Sequence, residues 1–415
     1  MTPPPPHLPT MTNVLLVAPW FSDAMKHCVQ CFLDLPGARV GVLTQEPPER
    51  VPPALAARLA ACERIGDAAQ SAQLVAAATA VRAQWGRIDR LEGYLEMLQV
   101  PIAEARDALG VDGMGAATAR NFRDKNRMKD VLRAAGVPVA RQALVRTVDD
   151  ARAFAAAVGY PIVLKPLAGF GARNTQRVTD EATLQQALAA LQPSADAPAQ
   201  AEEFVQGDEH TFESVVVDGA VVWSSTTAYV PRPLQVLEHA WMQYALILPR
   251  EGLPPHAEAF AATNARALAA LGVRHGLTHM EWFLRADGSF VVSEVGARPP
   301  GANIMPLLRA AHGADPWAAW ARLMVERRWD FPPRRFAAGT VFLRAKDGGP
   351  TVRGVTGVAA MRQALGPAFV EMKLPEPGQP RSTHYEGDGY VVVHHPSTDG
   401  VVKALRTVLD TVTIR

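Results

Sequence analysis

Asn13 to Ala18 (NVLLVA) is an unbroken apolar run, the pattern of a strand buried on both faces. A helical stretch follows, and then a second short run, ARVGVLT, from Ala38 to Thr44. The alternation predicts a small parallel α/β domain. Leu91 to Leu109 (LEGYLEMLQVPIAEARDAL) reads as a helix, after which ARNFRDKNRMKDVLRAAGVPVA turns basic and a new domain is expected. Gly136, Val137 and Pro138 end a helix and lead into a strand. Tyr160 to Lys165 (YPIVLK) is another strand, halted by Pro166 and a glycine-containing loop. QPSADAPAQ, Gln192 to Gln200, reads as a linker before a strand beginning at Ala201. A helix is expected near Pro316 to Arg327, and Pro332 and Pro333 mark a boundary. From about Arg335, VFLRA, GYVVVHH and a last helix form a smaller α+β unit.

Between these segments lies THMEWFLRADGSFVVSEVGARPPGAN, Thr278 to Asn303. It reads as two strands joined by a turn at Ala286, Asp287, Gly288 and Ser289. If Arg285 and Phe290 close that hairpin, Glu281 falls opposite Glu294 on one face. Directly opposed like charges destabilise an antiparallel pair, so the arrangement calls for a hard cation between them. Magnesium keeps several waters and favours one or two carboxylates plus substrate phosphates, so a nucleotide triphosphate is the expected co-ligand, with manganese the alternative ion.

At 415 residues and 48% hydrophobic content the chain is long enough for several domains with true cores. Its 42 basic and 41 acidic residues leave a net charge of +1, so no global field draws it to nucleic acid or anionic lipid, and an anionic ligand must be held locally. No apolar stretch is long enough to span a bilayer. Cys28, Cys31 and Cys62 are too few and too odd for a disulfide framework, which predicts a reducing, cytoplasmic setting. Cys28 and Cys31 form a CxxC on a helical stretch; with no second pair at metal spacing, they read as buried small apolar residues. MTPPPPHLPT lacks the apolar core of a signal peptide, so residues 1–10 are expected to be a disordered tail. The dinucleotide glycine fingerprint is missing after the first strand, which disfavours NAD.

Several further residues carry candidate chemistry. Lys165 ends an apolar strand just before PLAGFGARN, where Gly169 and Gly171 let backbone amides approach a phosphate. Lys125 stands in RDKNRMK at a helix start. EEFVQGDE, Glu202 to Glu209, offers backbone groups to an adenine edge and carboxylates to its amino group and to ribose hydroxyls. In order along the chain come DK and a GVP turn, PIVLKP with its glycine loop, EEFVxGxE, HxE, and ExxxRxxGxN. This succession resembles the ATP-grasp superfamily of carboxylate–amine ligases, over roughly Ala116 to Asp330.

The resemblance implies an ATP-grasp fold of α/β and α+β parts. A Rossmann-like domain would occupy residues 11–115, the ATP-grasp domain 116–330 with its two lobes divided near 192–200, and a small α+β domain 331–415. It implies that Lys125 and Lys165 contact nucleotide phosphates, that Glu202 receives the adenine amino group, and that Glu203 and Val205 face the adenine edge with their backbones. Glu209 would be the ribose ligand, Glu281 and Glu294 the magnesium ligands, and Arg298 the arginine that steadies the transferred phosphate or the tetrahedral intermediate. Many family members carry Asn two residues after the second metal Glu; here that position is Gly296. ExxxRxxGxN (Glu294, Arg298, Gly301, Asn303) instead looks like the L-amino-acid ligase branch, with water or Asn303 completing the metal shell, and the HxE that places His279 before Glu281 points the same way.

The implied reaction joins a small-molecule carboxylate to an amine through an acyl phosphate, with positioning and electrostatics carrying the rate and Leu167 to Asn174 as a lid. Thr226 to Pro249 is the candidate substrate wall, with Glu238, His239, Trp241 and Tyr244. Arg309 and His312 follow on a helix as weaker candidates. Related enzymes are often dimers, so a homodimer is an expectation. The competing readings are a carboxylase or purine-pathway ligase of the same superfamily, and a nucleotide-binding protein without turnover.

Overall fold

The computed structural model describes residues 11–167, 174–239, 241–251, 257–345 and 349–415. The expected N-terminal tail and most of the expected lid, with Gly169 and Gly171, lie outside the described residues. The first sheet is parallel, in the order β3-β2-β1-β4: β1 Thr12–Val17, β2 Ala38–Thr44, β3 Ala61–Arg64 and β4 Arg90–Glu92. Its two central strands, β1 and β2, are nearly continuous apolar runs because helices cover both faces. α1 (Asp23–Leu33) lies on one side, beyond which comes the short α2 (Pro53–Ala56), and α3 (Ser71–Trp85) and α4 (Gln99–Leu109) lie on the other. The helix expected from Leu91 begins only at Gln99: Leu91 is fully buried in β4, where it pairs with Leu15, so sheet pairing overrides the helical spacing there.

α5 (Ala116–Arg123) and α6 (Lys125–Ala134) lead into a four-stranded antiparallel sheet, ordered β5-β8-β6-β7. β5 is Gln142–Val145, β6 Ile162–Pro166, β7 Gln176–Val178 and β8 Ala199–Glu203; α7 (Val148–Val158) and α8 (Glu181–Leu191) close its core. The lobe division expected near 192–200 falls later, because β8 pairs with both β5 and β6 and belongs to this first lobe.

The second lobe is built on an eight-stranded sheet ordered β13-β12-β9-β10-β11-β14-β17-β16. It uses β9 Asp208–Val217, β10 Ala220–Val230, α9 Pro233–Glu238, β11 Tyr244–Leu248, α10 Ala257–Leu271, β12 Gly276–Leu284 and β13 Phe290–Gly296. After α11 (Ile304–His312) and α12 (Pro316–Glu326), the same sheet takes in β14 Ala337–Leu343 and, beyond β15 (Val355–Thr356) and α13 (Val358–Leu365), β16 Phe369–Lys373 and β17 Gly389–His395. α14 (Thr398–Thr411) packs on β14, and the short β18 (Thr413–Ile414) pairs with β15. The boundary expected at residue 331 is therefore no break in the sheet: β14 pairs with β11 from Tyr244↔Phe342 to Leu248↔Ala338. Among the described residues, no helix is long and apolar enough to cross a membrane.

The hairpin of β12 and β13 sets the site. Its turn is one residue tighter than expected: Arg285 N–H donates to Ser289 O at 2.8 Å, Gly288 takes a φ of 79°, and Leu284, not Arg285, pairs with Phe290. From that start a regular ladder would carry Glu294 past Glu281. A bulge at Ser293, between the pairs Trp282↔Val292 and Glu281↔Glu294, restores the register. It also sorts the faces. Trp282, Val292 and Val295 are buried against Phe260, whose ring stacks 3.9 Å from that of Trp282, while Glu281 and Glu294 turn the other way.

Candidate active site

One cleft between the two lobes is lined by Lys125, Lys165, Glu202, Glu209, Glu281, Glu294 and Arg298 together. Lys125 is the first residue of α6. Asp124 caps that helix by accepting from Asn126 N–H and Arg127 N–H at 2.9 and 3.0 Å, which orients the first turn. The Lys125 ammonium reaches Glu294 Oε1 at 2.5 Å. One turn on, on the same face, Lys129 is fully buried.

Lys129 was not foreseen. Its ammonium lies 2.7 Å from Glu202 Oε1, the same oxygen that Lys165 reaches at 2.7 Å and to which Gln200 Nε2 donates at 2.8 Å. The register explains the convergence: Val163↔Glu202 and Lys165↔Gln200 are neighbouring pairs, so Lys165, Glu202 and Gln200 share the cleft face of β6 and β8. Burial pushes Lys129 down to about 8 despite its carboxylate partner. Burial raises Glu202, but two ammonium groups outweigh it and hold that carboxyl at about 2. The Glu202 carboxylate is thus a clamp on two lysines, not the free acceptor for an adenine amino group that the sequence suggested. Glu203 N–H is also spent, donating to Arg141 O at 3.0 Å. What this strand end can present to an adenine edge is the Glu203 carbonyl and the Val205 N–H.

On the β9–β12–β13 face, Glu209 is opposite Phe283 and Glu281 is opposite both Thr211 and Glu294. Burial and then the Glu281 charge push the Glu209 carboxyl up to about 8. Burial opposes the ionisation of Glu294 too, but Lys125 and Lys165 reverse it, leaving that carboxyl below its usual range. This excess of acid on one face, relieved for Glu294 by ammonium groups and only in part for Glu209 by Arg232 and Lys165, suits a divalent cation.

His279 sits behind the pair. Its Nδ1 is 2.9 Å from Oε1 of Glu213, a fully buried carboxylate, and its Nε2 is 3.7 Å from Glu281 Oε1. Burial lowers its basicity, but the two carboxylates prevail and raise it to about 9. The ring thus holds Glu281 from behind, helped by Tyr229 Oη, which donates to Glu281 Oε1 at 3.4 Å. Glu213 left no trace in the sequence reading; its position two residues along β9 from Thr211, on the same face, was the available signal.

Arg298 is held by the first domain. Its Nε donates to Glu96 Oε2 and its Nη1 to Pro299 O at 2.8 Å. A Cβ at Gly296 would meet Glu96 Oε2 at 3.4 Å, an ordinary van der Waals contact, so a longer side chain such as the usual Asn would come up against a carboxylate from the first domain.

The other candidates divide. Glu238 lines the cleft, with Arg232 and Tyr229 from the same stretch, and Tyr385 reaches it from the last part of the chain. His239 and Trp241 are not among its lining residues, and Trp241 is 68% exposed. Tyr244 is buried against Phe342 and Tyr385 and serves the core. Asn303 does not line the cleft, where it was expected to complete a metal shell; it takes a left-handed φ of 61° and its Nδ2 donates to Thr340 Oγ1 at 3.4 Å. Arg309 pairs with Glu371 at 2.6 Å, and His312 Nδ1 bonds Pro332 O at 2.7 Å among aromatic rings, so both are spent on structure.

Comparison with known proteins places this geometry. Residues 124–226 match the family of the carbamoyl-phosphate synthase L chain, ATP binding domain. The alanine–anticapsin ligase of Bacillus subtilis strain 168 is 28% identical over 243 residues, which is 53% of this chain and 50% of that protein. The D-alanine–D-alanine ligase of Sodalis glossinidius is 30% identical over 256 residues, 59% of this chain and 66% of that one. The match thus spans about half the length of the first of these relatives. Among solved structures, an L-amino acid ligase from Bacillus licheniformis superposes with a TM-score of 0.77 at 18% identity, over 97% of this chain and 98% of that chain.

Proposed function

We propose that the chain is a member of the ATP-grasp superfamily and, on that premise, an ATP-dependent carboxylate–amine ligase acting on L-amino acids or similar small metabolites. The observation that carries this reading is the meeting, in one cleft, of Lys165 from the first lobe and Lys125 from the start of α6 with an opposed glutamate pair from the second lobe. Cations facing a carboxylate pair form a cradle for a triphosphate and its metal, and the amino-acid ligases to which the chain is similar lend the substrate class.

Glu281 and Glu294 would hold magnesium or manganese, with Glu209 beside them; bound there, the ion supplies positive charge to the phosphate oxygens. The residues of the chain do the rest. Glu203 O and Val205 N–H receive the adenine edge, and Glu209 is available to the ribose. Lys165, aimed by Glu202, and Lys125, released from Glu294, stabilise the charge that develops as the substrate carboxylate attacks the γ-phosphoryl group and ADP leaves. The acyl phosphate so formed loses phosphate when the amine attacks its carbonyl carbon. Arg298 stabilises the resulting oxyanion, a contribution on the order of 3 kcal/mol or roughly a hundredfold in rate. Glu238, on the cleft wall, is the candidate for a substrate α-amino group.

ADP and phosphate release, measured from magnesium ATP across L-amino acids singly and in pairs, with bicarbonate and formate alongside, tests the reading. Stimulation by an amino acid or a pair, with an amide product equimolar to phosphate and abolished in Glu294→Gln, is expected. Stimulation by bicarbonate alone would assign the chain to a carboxylase instead, and tight ATP binding without turnover on any of these would sink the ligase reading.

A further inference from the structure

His27 and Cys31 lie one turn apart on α1, and Asp315 is the N-cap of α12, the helix against which α1 packs with Phe32 edge-on to Trp320 at 5.4 Å. Absent from the cleft lining, the three bring their donor atoms within 4.8 Å of one another. His27 Nε2 is 2.7 Å from Asp315 Oδ2, and Cys31 Sγ is 3.8 Å from that nitrogen and 3.7 Å from that oxygen.

The arrangement is no nucleophile relay. In a relay the acid and the thiol address opposite ring nitrogens; here both address Nε2 of His27. Burial, reinforced by the Asp315 charge, also holds the Cys31 thiol far above its ordinary range, so it is protonated and unreactive. What the three atoms do is converge on one point. A tetrahedral zinc ion, with bonds of about 2.3 Å to sulfur and about 2.0–2.2 Å to nitrogen and oxygen, spaces such ligands roughly 3.4–3.6 Å apart. Both sulfur separations already meet that spacing within a few tenths of an ångström. The third is a hydrogen bond, and it would open by roughly 0.7 Å once an ion replaced the shared proton.

We propose that His27, Cys31 and Asp315 form a binding site for a borderline-soft divalent metal ion, zinc foremost, that staples α1 of the first domain to α12, with water as fourth ligand. The mixed sulfur, nitrogen and oxygen donor set excludes magnesium and calcium, which take oxygen ligands alone. Asp315 is oriented for the task because its Oδ1 accepts from Trp317 N–H at 2.9 Å, leaving Oδ2 for the ion. The His27 and Asp315 side chains are 44% and 30% exposed, which provides an entry path and a place for water, while the sulfur stays inside. The Arg309 charge near His27 is offset by its 2.6 Å pair with Glu371. Binding forms metal–sulfur, metal–nitrogen and metal–oxygen bonds; the Cys31 thiol proton leaves to solvent, and the proton on His27 Nε2 leaves to solvent from the imidazolium or passes to Nδ1 in the neutral ring. The CxxC spacing that seemed to lack a second ligand pair finds its partner across a helix interface, and through Cys31 only.

Cobalt substitution on the full-length protein, stripped with a chelator and desalted, tests the site. One equivalent of Co2+ should produce a thiolate-to-cobalt charge-transfer band with the intense visible bands of tetrahedral cobalt, and zinc should displace it. Cys28→Ser and Glu294→Gln should keep the band, whereas Cys31→Ser and His27→Ala should lose it; the second of these sits at an exposed helix position and guards against a folding defect in the first. Cobalt in the cleft would meet no sulfur and give no such band, so the result stands apart from the ligase reading. Absence of the band in the unaltered chain, or its survival in either Cys31→Ser or His27→Ala, overturns the proposal.

Discussion

The ammonium of Lys165 lies 2.7 Å from Glu202 Oε1, one strand away, and the fully buried Lys129 comes to the same oxygen at the same distance. A single carboxylate therefore aims a lysine that lines the cleft and compensates a second cation that no water reaches. Glu202→Gln should leave Lys129 buried without an opposite charge. A loss of stability on the order of 3 kcal/mol, read from urea unfolding, is expected. Because the Glu202 carboxyl sits near 2 in the folded chain, its contribution is fully present above its unfolded pKa of about 4.3 and is lost as pH falls through about 2. The variant should have a flatter acid limb; an unchanged limb would remove Glu202 from this role. A raised KM for ATP should accompany the change.

Glu209 behaves in the opposite sense. With its carboxyl pushed up to about 8 by burial and Glu281, the folded chain binds a proton there that the unfolded chain has already released, so stability falls as pH rises from about 4.5 to about 8. Glu209→Gln should abolish that part of the decline and raise the melting temperature of the ligand-free protein by a few degrees at pH 8, with no gain at pH 4.5. Magnesium ATP should erase the difference by supplying the missing positive charge. Identical melting profiles for the two proteins across that range would refute this account.

His279, raised to about 9 between Glu213 and Glu281, contributes stability that is fully present below its unfolded pKa of about 6.5 and is lost as pH rises through about 9. Glu213→Gln removes the nearer carboxylate. The imidazole titration followed by NMR should then move back toward 6.5, with weaker metal-dependent ATP turnover because Glu281 loses its support. A midpoint that stays near 9 would show that Glu281 alone sets the charge.

The pair of Arg298 with Glu96 ties the arginine proposed to stabilise the oxyanion to the first domain. Glu96→Gln should lower kcat on the order of tenfold to a hundredfold while leaving ATP affinity nearly unchanged, since Glu96 positions Arg298 and does not carry the nucleotide. Gly296→Asn, which restores the residue common in the family, should impair the enzyme similarly by pushing its side chain into Glu96. Higher activity in that variant would mean that the Asn serves as a metal ligand here after all.

Much of this architecture was legible in the chain. ARVGVLT is β2 to the residue, and the run at Asn13 to Ala18 lies one position from β1 (Thr12–Val17), because a strand covered on both faces must be apolar throughout. Glu281 and Glu294 do stand opposite one another, yet the reasoning that placed them so was wrong in its first step. The turn closes at Arg285 and Ser289, with Leu284 and Phe290 the next pair, and the offset is repaired by a bulge at Ser293 that lets Trp282 and Val292 bury against Phe260. No local pattern encodes that repair. Lys165 was visible as a charge ending an apolar strand, whereas Lys129, at an ordinary-looking helical position, was not.

The sequence by itself determined which residues could do chemistry: lysines at a helix start and a strand end, an acid-rich hairpin, an arginine following it, each marked by local spacing and in the order of one superfamily. Tertiary structure alone decided which of them act together. Glu202 became a clamp because β8 pairs beside β6, Glu96 came beside Gly296 and onto Arg298 because the first domain folds against the end of β13, and Asp315 completed a cluster with His27 and Cys31 because α12 packs on α1. Side-chain spacing along a chain follows from backbone geometry within a few residues, but contacts across an average of many tens of residues depend on how whole elements bury their apolar faces, and only the assembled core fixes that.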